Sequence, residues 1–274
     1  MTGLVMVDGV EHASMPATDS SVLRGDGCFE AIRSYGGRLF ALDEHLTRLE
    51  RSASALGLPR PDIDRVSAWC VEMAARLGDG VVRVVMSRGD VALGGDGTPR
   101  YAVLGLPLPP RPAALALATV EAPWHPAGRE WALAGAKTIS YAPNLAAGRQ
   151  ATAAGYDDAL LVSVDGVVLE GPTFSVAWVV DGVIETPGLD LFILDSITRR
   201  RVLRLAGELG LEVRQGRFLS QRIEQASEVL ALSTVKEVTA VRRVDSFEFP
   251  EGPVRASLQV AFAATVRTEC APTA

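Results

Sequence analysis

Of the 27 lysine and arginine residues in the chain, only Lys137 and Lys236 are lysines. A guanidinium stays protonated at any ordinary pH, whereas a desolvated ammonium can lose its proton and act as a nucleophile. Each retained primary amine is therefore a candidate for chemistry, and its surroundings decide. Lys137 follows Ala134-Gly135-Ala136 and precedes Thr138-Ile139-Ser140-Tyr141, a small apolar approach to a strand end opening into a cavity. An amine desolvated there could form a Schiff base with an aldehyde. The alternative is a plain strand-end cation. Lys236, in Ser233-Thr234-Val235-Lys236-Glu237, has an adjacent carboxylate and reads as solvated.

Glu170 closes the apolar run Val167-Val168-Leu169, just before Gly171-Pro172. A carboxylate at a strand end can pair with a protonated ring nitrogen and keep an electron sink protonated. It could equally be an ordinary exposed acid. Two segments have the makings of phosphate cradles. Leu194-Asp195-Ser196-Ile197-Thr198-Arg199 presents free backbone N–H groups and a Thr hydroxyl at a helix N-terminus, which is an anion site or a plain cap. Ser233-Thr234-Val235 offers N–H groups and a hydroxyl in a turn. Arg48 could add a charge-assisted contact from its helix, or lie solvated. An amine, a carboxylate for a ring nitrogen and a phosphate cradle are jointly what pyridoxal 5′-phosphate needs.

These residues need a framework, and 274 residues suffice for one large domain or two ordinary ones. Hydrophobic residues at 48% and charged residues at 22% are a globular balance and exclude disorder. A net charge of −6 argues against a nucleic-acid surface, and no apolar run is long enough for a bilayer. Cys28, Cys70 and Cys270 are odd in number and scattered, so neither zinc nor a disulfide framework is expected. The N-terminus lacks the basic region of a signal peptide, and the expected location is the cytoplasm. There is no GxGxxG after a strand and no P-loop.

Four prolines between Pro107 and Pro112 divide the chain. The expected organisation is an N-terminal α/β domain over 1–106, a linker over 107–113 and a C-terminal cofactor-binding domain over 114–274. In the front part, strands are expected at Leu4–Val7, Arg38–Ala41, Val81–Met86 and Tyr101–Leu106. Helices are expected from Gly27 through Arg33, after Asp43 as N-cap, and over Asp62–Leu77. In the back part, helices are expected at Asn144–Ala154, Ser196–Leu209 and Pro253–Thr268. Strands are expected at Ala114–Val120, Asp158–Val162, Val167–Leu169, Phe174–Val180, Val183–Thr186, Glu228–Leu232 and Val238–Val244.

From about Leu23 to Val241 the chain resembles the class IV aminotransferases, the fold-type IV enzymes of pyridoxal phosphate. The resemblance rests on several motifs read together. The first is Arg24-Gly25-Asp26-Gly27-Cys28-Phe29-Glu30-Ala31-Ile32-Arg33, followed by Glu44-His45-Leu46-Thr47-Arg48-Leu49. The second is Lys137 with Asn144, Arg149, Gly155, Asp158 and Ala159, then Asp165-Gly166 to Glu170-Gly171. The last are Ile193 to Arg199 and Ser233 to Thr239. The resemblance implies a small N-terminal α/β domain, a larger C-terminal pseudo-barrel domain, cofactor between them, and a homodimer. It implies that Lys137 carries the cofactor and Glu170 binds its pyridine nitrogen. It also implies that Arg48, Ser196, Ile197, Thr198, Thr234 and Val235 hold the phosphate. Ser196 stands where the family usually has glycine.

Two reactions follow from that family, and the resemblance favours 4-amino-4-deoxychorismate lyase, which releases pyruvate and forms the folate precursor 4-aminobenzoate. The segment from Lys137 to Glu170 is most similar to chains of that type. The alternative is an aminotransferase working between an amino acid, branched-chain or D-type, or an amine and a 2-oxo acid. The second alternative is a catalytically silent protein of this fold, which an intact Lys137 and Glu170 pair opposes. The lyase loop is altered here, where Ser87-Arg88-Gly89 runs into Asp90 to Asp96. Arg88, Phe29 and Tyr141 are candidates for the substrate, and Arg88 reads equally as an arginine serving the fold.

Overall fold

The computed structural model describes residues 4–91, 97–110 and 112–271. Thus Ala92 to Asp96 of the altered loop and Arg111 of the linker lie outside the described residues. The elements in chain order are β1 Leu4–Val7, β2 Val10–Glu11, α1 Ser20–Arg24, β3 Gly27–Tyr35, β4 Arg38–Leu39, α2 Leu42–Ala55, α3 Ile63–Leu77, β5 Gly80–Ser87, β6 Arg100–Leu106, β7 Ala114–Glu121 and α4 Ala142–Ala153. They continue with β8 Asp158–Val162, β9 Ser175–Val180, β10 Val183–Pro187, α5 Ile197–Glu208, β11 Val213–Gly216, β12 Glu228–Ser233, β13 Glu237–Val244, β14 Phe247–Glu248 and α6 Pro253–Glu269.

The chain forms two compact units that are not contiguous in sequence. The first comprises Met1–Pro109, Gly135–Tyr141 and Val266–Ala274, and the second Pro110–Ala134 and Ala142–Thr265. The segment bearing Lys137 therefore packs with the N-terminal unit, unlike the continuous domain 114–274 read from the proline stretch.

The first unit is built on an antiparallel sheet ordered β2-β1-β6-β5-β3-β4. Ile32, Val82, Val84 and Val103 face Leu46, Leu49 and Ala53 of α2 and Val66, Cys70 and Met73 of α3 in one core. Gly27 to Arg33 lies in strand β3, not in the expected helix. The reason is burial on both faces, which removes the alternation that marks a half-exposed strand. Asp43 is likewise not the cap of α2. It sits in the first turn, and the cap is Ala41 in the left-handed region with φ 55°. Asp62 does cap α3, accepting from Arg65 N–H at 3.1 Å.

The second unit holds a mixed sheet ordered β11-β10-β9-β12-β13-β7-β8, with β14 on β13. Strands β13, β7 and β8 run parallel, as do β10 and β11, and the remaining pairs are antiparallel. Trp178, Val176, Leu160 and Leu117 fill its main core. Helix α5 packs on β12, and Ala147 and Ala151 of α4 join Leu161 and Leu169 in a second cluster.

Candidate active site

Lys137 is held from its main chain. Its N–H donates to Ser52 Oγ of α2 at 3.0 Å, and its carbonyl accepts from Phe29 N–H of β3 at 3.0 Å. Ile139 N–H donates to Gly27 O at 3.0 Å, and Thr138 bridges Cys28. Residues 137–139 thus run antiparallel along β3 through an isolated bridge at Thr138. Gly27 permits the fit, since a Cβ there would lie 2.4 Å from Met86 O and 3.0 Å from Ile139 Cδ1. The Nζ of Lys137 stands 4.5 Å from the Phe29 ring centroid. Arg83 lies over the same ring at 4.6 Å, and Tyr141 packs edge-on against Phe29 at 5.7 Å. The amine, Phe29 and Tyr141 are therefore one cluster.

Behind β3, on the face opposite Phe29, lies a buried ionic triad. Glu30 is fully buried and accepts from Arg48 twice, Nε to Oε1 and Nη2 to Oε2, both at 2.7 Å. His45 Nδ1 is 2.7 Å from Oε2. Burial alone pushes the Glu30 carboxyl up, but Arg48 and then His45 outweigh it and hold it at about 2. Glu30 is therefore a carboxylate, and His45 Nδ1–H donates to it. Burial keeps the His45 ring neutral against the pull of Glu30, and Arg48 and Lys137 act in the same direction. Arg48 was expected from the sequence, but its support by Glu30 and His45 was not. His45 and Arg48 are three residues apart on α2 and so share a face.

Arg88 is engaged within its own unit. Its guanidinium donates to Asp26 at 2.6 and 3.4 Å, to Gly57 O at 3.0 Å and to Leu56 O at 2.8 Å. These are the bonds of an arginine that serves the fold, one of the two readings its sequence position gave. Cys28, inside the same unit, is pushed up to about 12 by burial and by the Glu30 charge, so its thiol is inert.

In the second unit the Glu170 carboxylate sits against the segment that leads into α5. Leu194 N–H donates to both its oxygens, at 3.2 and 3.3 Å. Its backbone is fixed to β8, where Leu161 N–H donates to Glu170 O at 2.8 Å. Ser196 caps α5, its Oγ accepting from Arg199 N–H at 3.3 Å. The first-turn N–H groups of Ile197 and Thr198 have no partner inside a helix. Both residues are buried. Arg199 anchors the helix by bonding Thr186 Oγ1, Pro187 O and Gln215 Oε1 at 3.1, 2.7 and 2.8 Å.

Thr234, Val235 and Lys236 form the three-residue loop between β12 and β13, where Ser233 pairs with Glu237. Glu237 takes a left-handed φ of 52°, a common way to close such a loop. Lys236 is not solvated as the sequence suggested. Glu237 turns to Gln259, at 2.8 Å. Lys236 Nζ donates to Thr173 Oγ1 at 2.9 Å, stands 3.9 Å from Asp158 and lies over the Phe174 ring. Burial lowers the pKa of this amine, against the pull of Asp158. Within their own units the expected residues thus fall into an amine cluster with a supported guanidinium, and a carboxylate with two sets of turn amides. That donor set fits an aldehyde carrying a ring nitrogen and a phosphate.

The family described as amino-transferase class IV matches residues 27–244. A branched-chain-amino-acid aminotransferase of Salmonella typhimurium is 30% identical over 271 residues, covering 92% of this chain and 88% of its own. A bifunctional aminodeoxychorismate lyase / D-amino acid transaminase of Mycobacterium tuberculosis is 30% identical, with 92% and 94% covered. Among solved structures, a fold IV transaminase of Curtobacterium pusillum superposes with a TM-score of 0.87 at 28% identity, covering 99% of this chain and all of its own. The two-sheet α/β architecture is that of fold-type IV. The chain belongs to the class IV aminotransferase family and is an enzyme of pyridoxal 5′-phosphate.

Proposed function

We propose that this protein transfers an amino group from an amino acid to a 2-oxo acid, with branched-chain amino acids as its first donors. The observation that carries this reading is the alignment of nearly the whole chain with a branched-chain aminotransferase. The comparisons back transamination better than the lyase reading that the sequence favoured.

When bound, the cofactor supplies an aldehyde to take the amino group and a ring that withdraws electrons from the reacting carbon. Lys137 Nζ would hold that aldehyde and, as a free amine, would move the proton at the substrate's α-carbon. Glu170 would pair with the protonated ring nitrogen. Arg48 would offer its charge to the phosphate, and Ser196, Ile197, Thr198, Thr234 and Val235 would offer their amides to it. Arg48 brings its charge already oriented by Glu30, so little order is lost on binding. Phe29 and Tyr141 flank Lys137 and present an apolar wall to a substrate side chain. The active form is a homodimer in this reading, which light scattering checks directly.

Product analysis tests the proposal. Enzyme loaded with cofactor is expected to convert L-leucine, L-isoleucine or L-valine to the 2-oxo acid, forming glutamate only when 2-oxoglutarate is present. Turnover confined to D-amino acids or amines would overturn the branched-chain assignment. A second reading is favoured by the bifunctional relative. It requires pyruvate and 4-aminobenzoate to appear from aminodeoxychorismate with no acceptor added.

A further inference from the structure

Resting on the reading of Glu170 as the partner of the ring nitrogen, we infer that His125 is its positioning residue, a neutral imidazole locked in one tautomer with its N–H aimed at the carboxylate. His125 lies on the loop after β7, and its side chain is 11% exposed. Ala127 N–H donates to His125 Nδ1 at 3.1 Å. An imidazole nitrogen that accepts carries no proton, so in the neutral ring the proton is on Nε2. Burial lowers the pKa of this ring to about 4, which keeps it neutral at working pH. The loop is tied down as well, since His125 N–H donates to Ala122 O at 3.0 Å and Ala122 N–H to Val162 O at 2.8 Å.

The Nε2–H faces Glu170 Oε1 at 3.9 Å. That is longer than a hydrogen bond, and small shifts of a carboxylate close such gaps when a site fills. From the other side Leu194 N–H donates to both carboxylate oxygens. A neutral donor on one flank and a backbone donor on the other favour the ionised carboxylate and fix its plane. A charged imidazolium there would compete with a ring nitrogen for the same acid. The locked neutral tautomer avoids that competition.

Three variants of the full chain test this. His125→Phe keeps an aromatic ring and removes the donor, and His125→Gln keeps a neutral N–H. Glu170→Gln is the reference. His125 also borders a cavity of about 310 Å³ with Trp124 and Trp131, which leaves room for either side chain. The expected result is a cofactor dissociation constant about 10-fold weaker for His125→Phe, restored to within about threefold by His125→Gln. The absorption band of the bound cofactor should shift in His125→Phe toward that of Glu170→Gln. Independently of cofactor, ¹⁵N spectra of the apoprotein should show His125 protonated at Nε2 and bare at Nδ1. A proton on Nδ1 overturns the inference, as does a His125→Phe protein with unchanged affinity and band while Glu170→Gln changes both. If Glu170→Gln also leaves both unchanged, the reading of Glu170 itself fails.

Discussion

Replacing Lys137 by alanine is expected to abolish the visible absorption of covalently held cofactor and to lower turnover on the order of 10⁴-fold or more. The change removes both a nucleophile and a base while leaving the fold alone, because the main chain does the anchoring. Ser52 and Phe29 hold the N–H and carbonyl of residue 137, and alanine keeps both bonds. Melting should therefore stay near the wild-type value, which separates lost chemistry from lost structure. Lys236→Ala is the matched control. Lys236 is the other primary amine and is also half-buried, but Thr173 and Asp158 occupy its Nζ. That variant should retain the visible band. A band lost in Lys236→Ala and kept in Lys137→Ala would overturn the assignment of the reactive amine.

Lys137 stood out in the sequence because the chain uses so few lysines and surrounds this one with small residues. Its confinement did not, because the bonds that hold it come from Phe29 and Ser52, far back in the chain. Strand β3 was hidden for a related reason. A strand covered on both faces shows a run of mixed apolar and small residues, and Gly27 to Arg33 reads as a helix until its neighbours are known. Helices α3 and α5 stood out because one face of each meets solvent and the other the core. Residue type misled at Asp43, which lies in the first turn of α2, because Ala41 in the cap position carries no such signal. Arg88 shows how two readings can share one sequence position. A strand-end arginine before a glycine suits a substrate carboxylate, yet Asp26 and two carbonyls take it. His125 gave no signal at all, since its meaning depends on Glu170, 45 residues further on and adjacent only in the fold.

Glu30→Gln is the second large effect expected, and here the loss is of structure. Glu30 is fully buried and surrounded by donors: two N–H groups of Arg48 and the Nδ1–H of His45. Glutamine fills the same volume but turns an NH₂ toward one of them. At least one hydrogen bond is lost, and the buried Arg48 guanidinium loses the carboxylate charge of Glu30. Removing one partner of such a pair costs about 3–5 kcal/mol, enough to lower the melting midpoint on the order of 10 °C. The pH dependence is specific. Glu30 titrates at about 2 in the fold against an ordinary 4.5. A carboxyl depressed in the native state stabilises the protein fully above its unfolded value, and that stability drains away as pH falls from about 4.5 toward 2. Denaturation at a series of pH values should therefore show the gap between wild type and Glu30→Gln wide at pH 7 and narrowing through that window. A gap that is constant with pH, or below about 1 kcal/mol at pH 7, would show that the triad adds nothing as a charged unit. Because Arg48 is proposed to meet the phosphate, the same variant should also weaken cofactor binding.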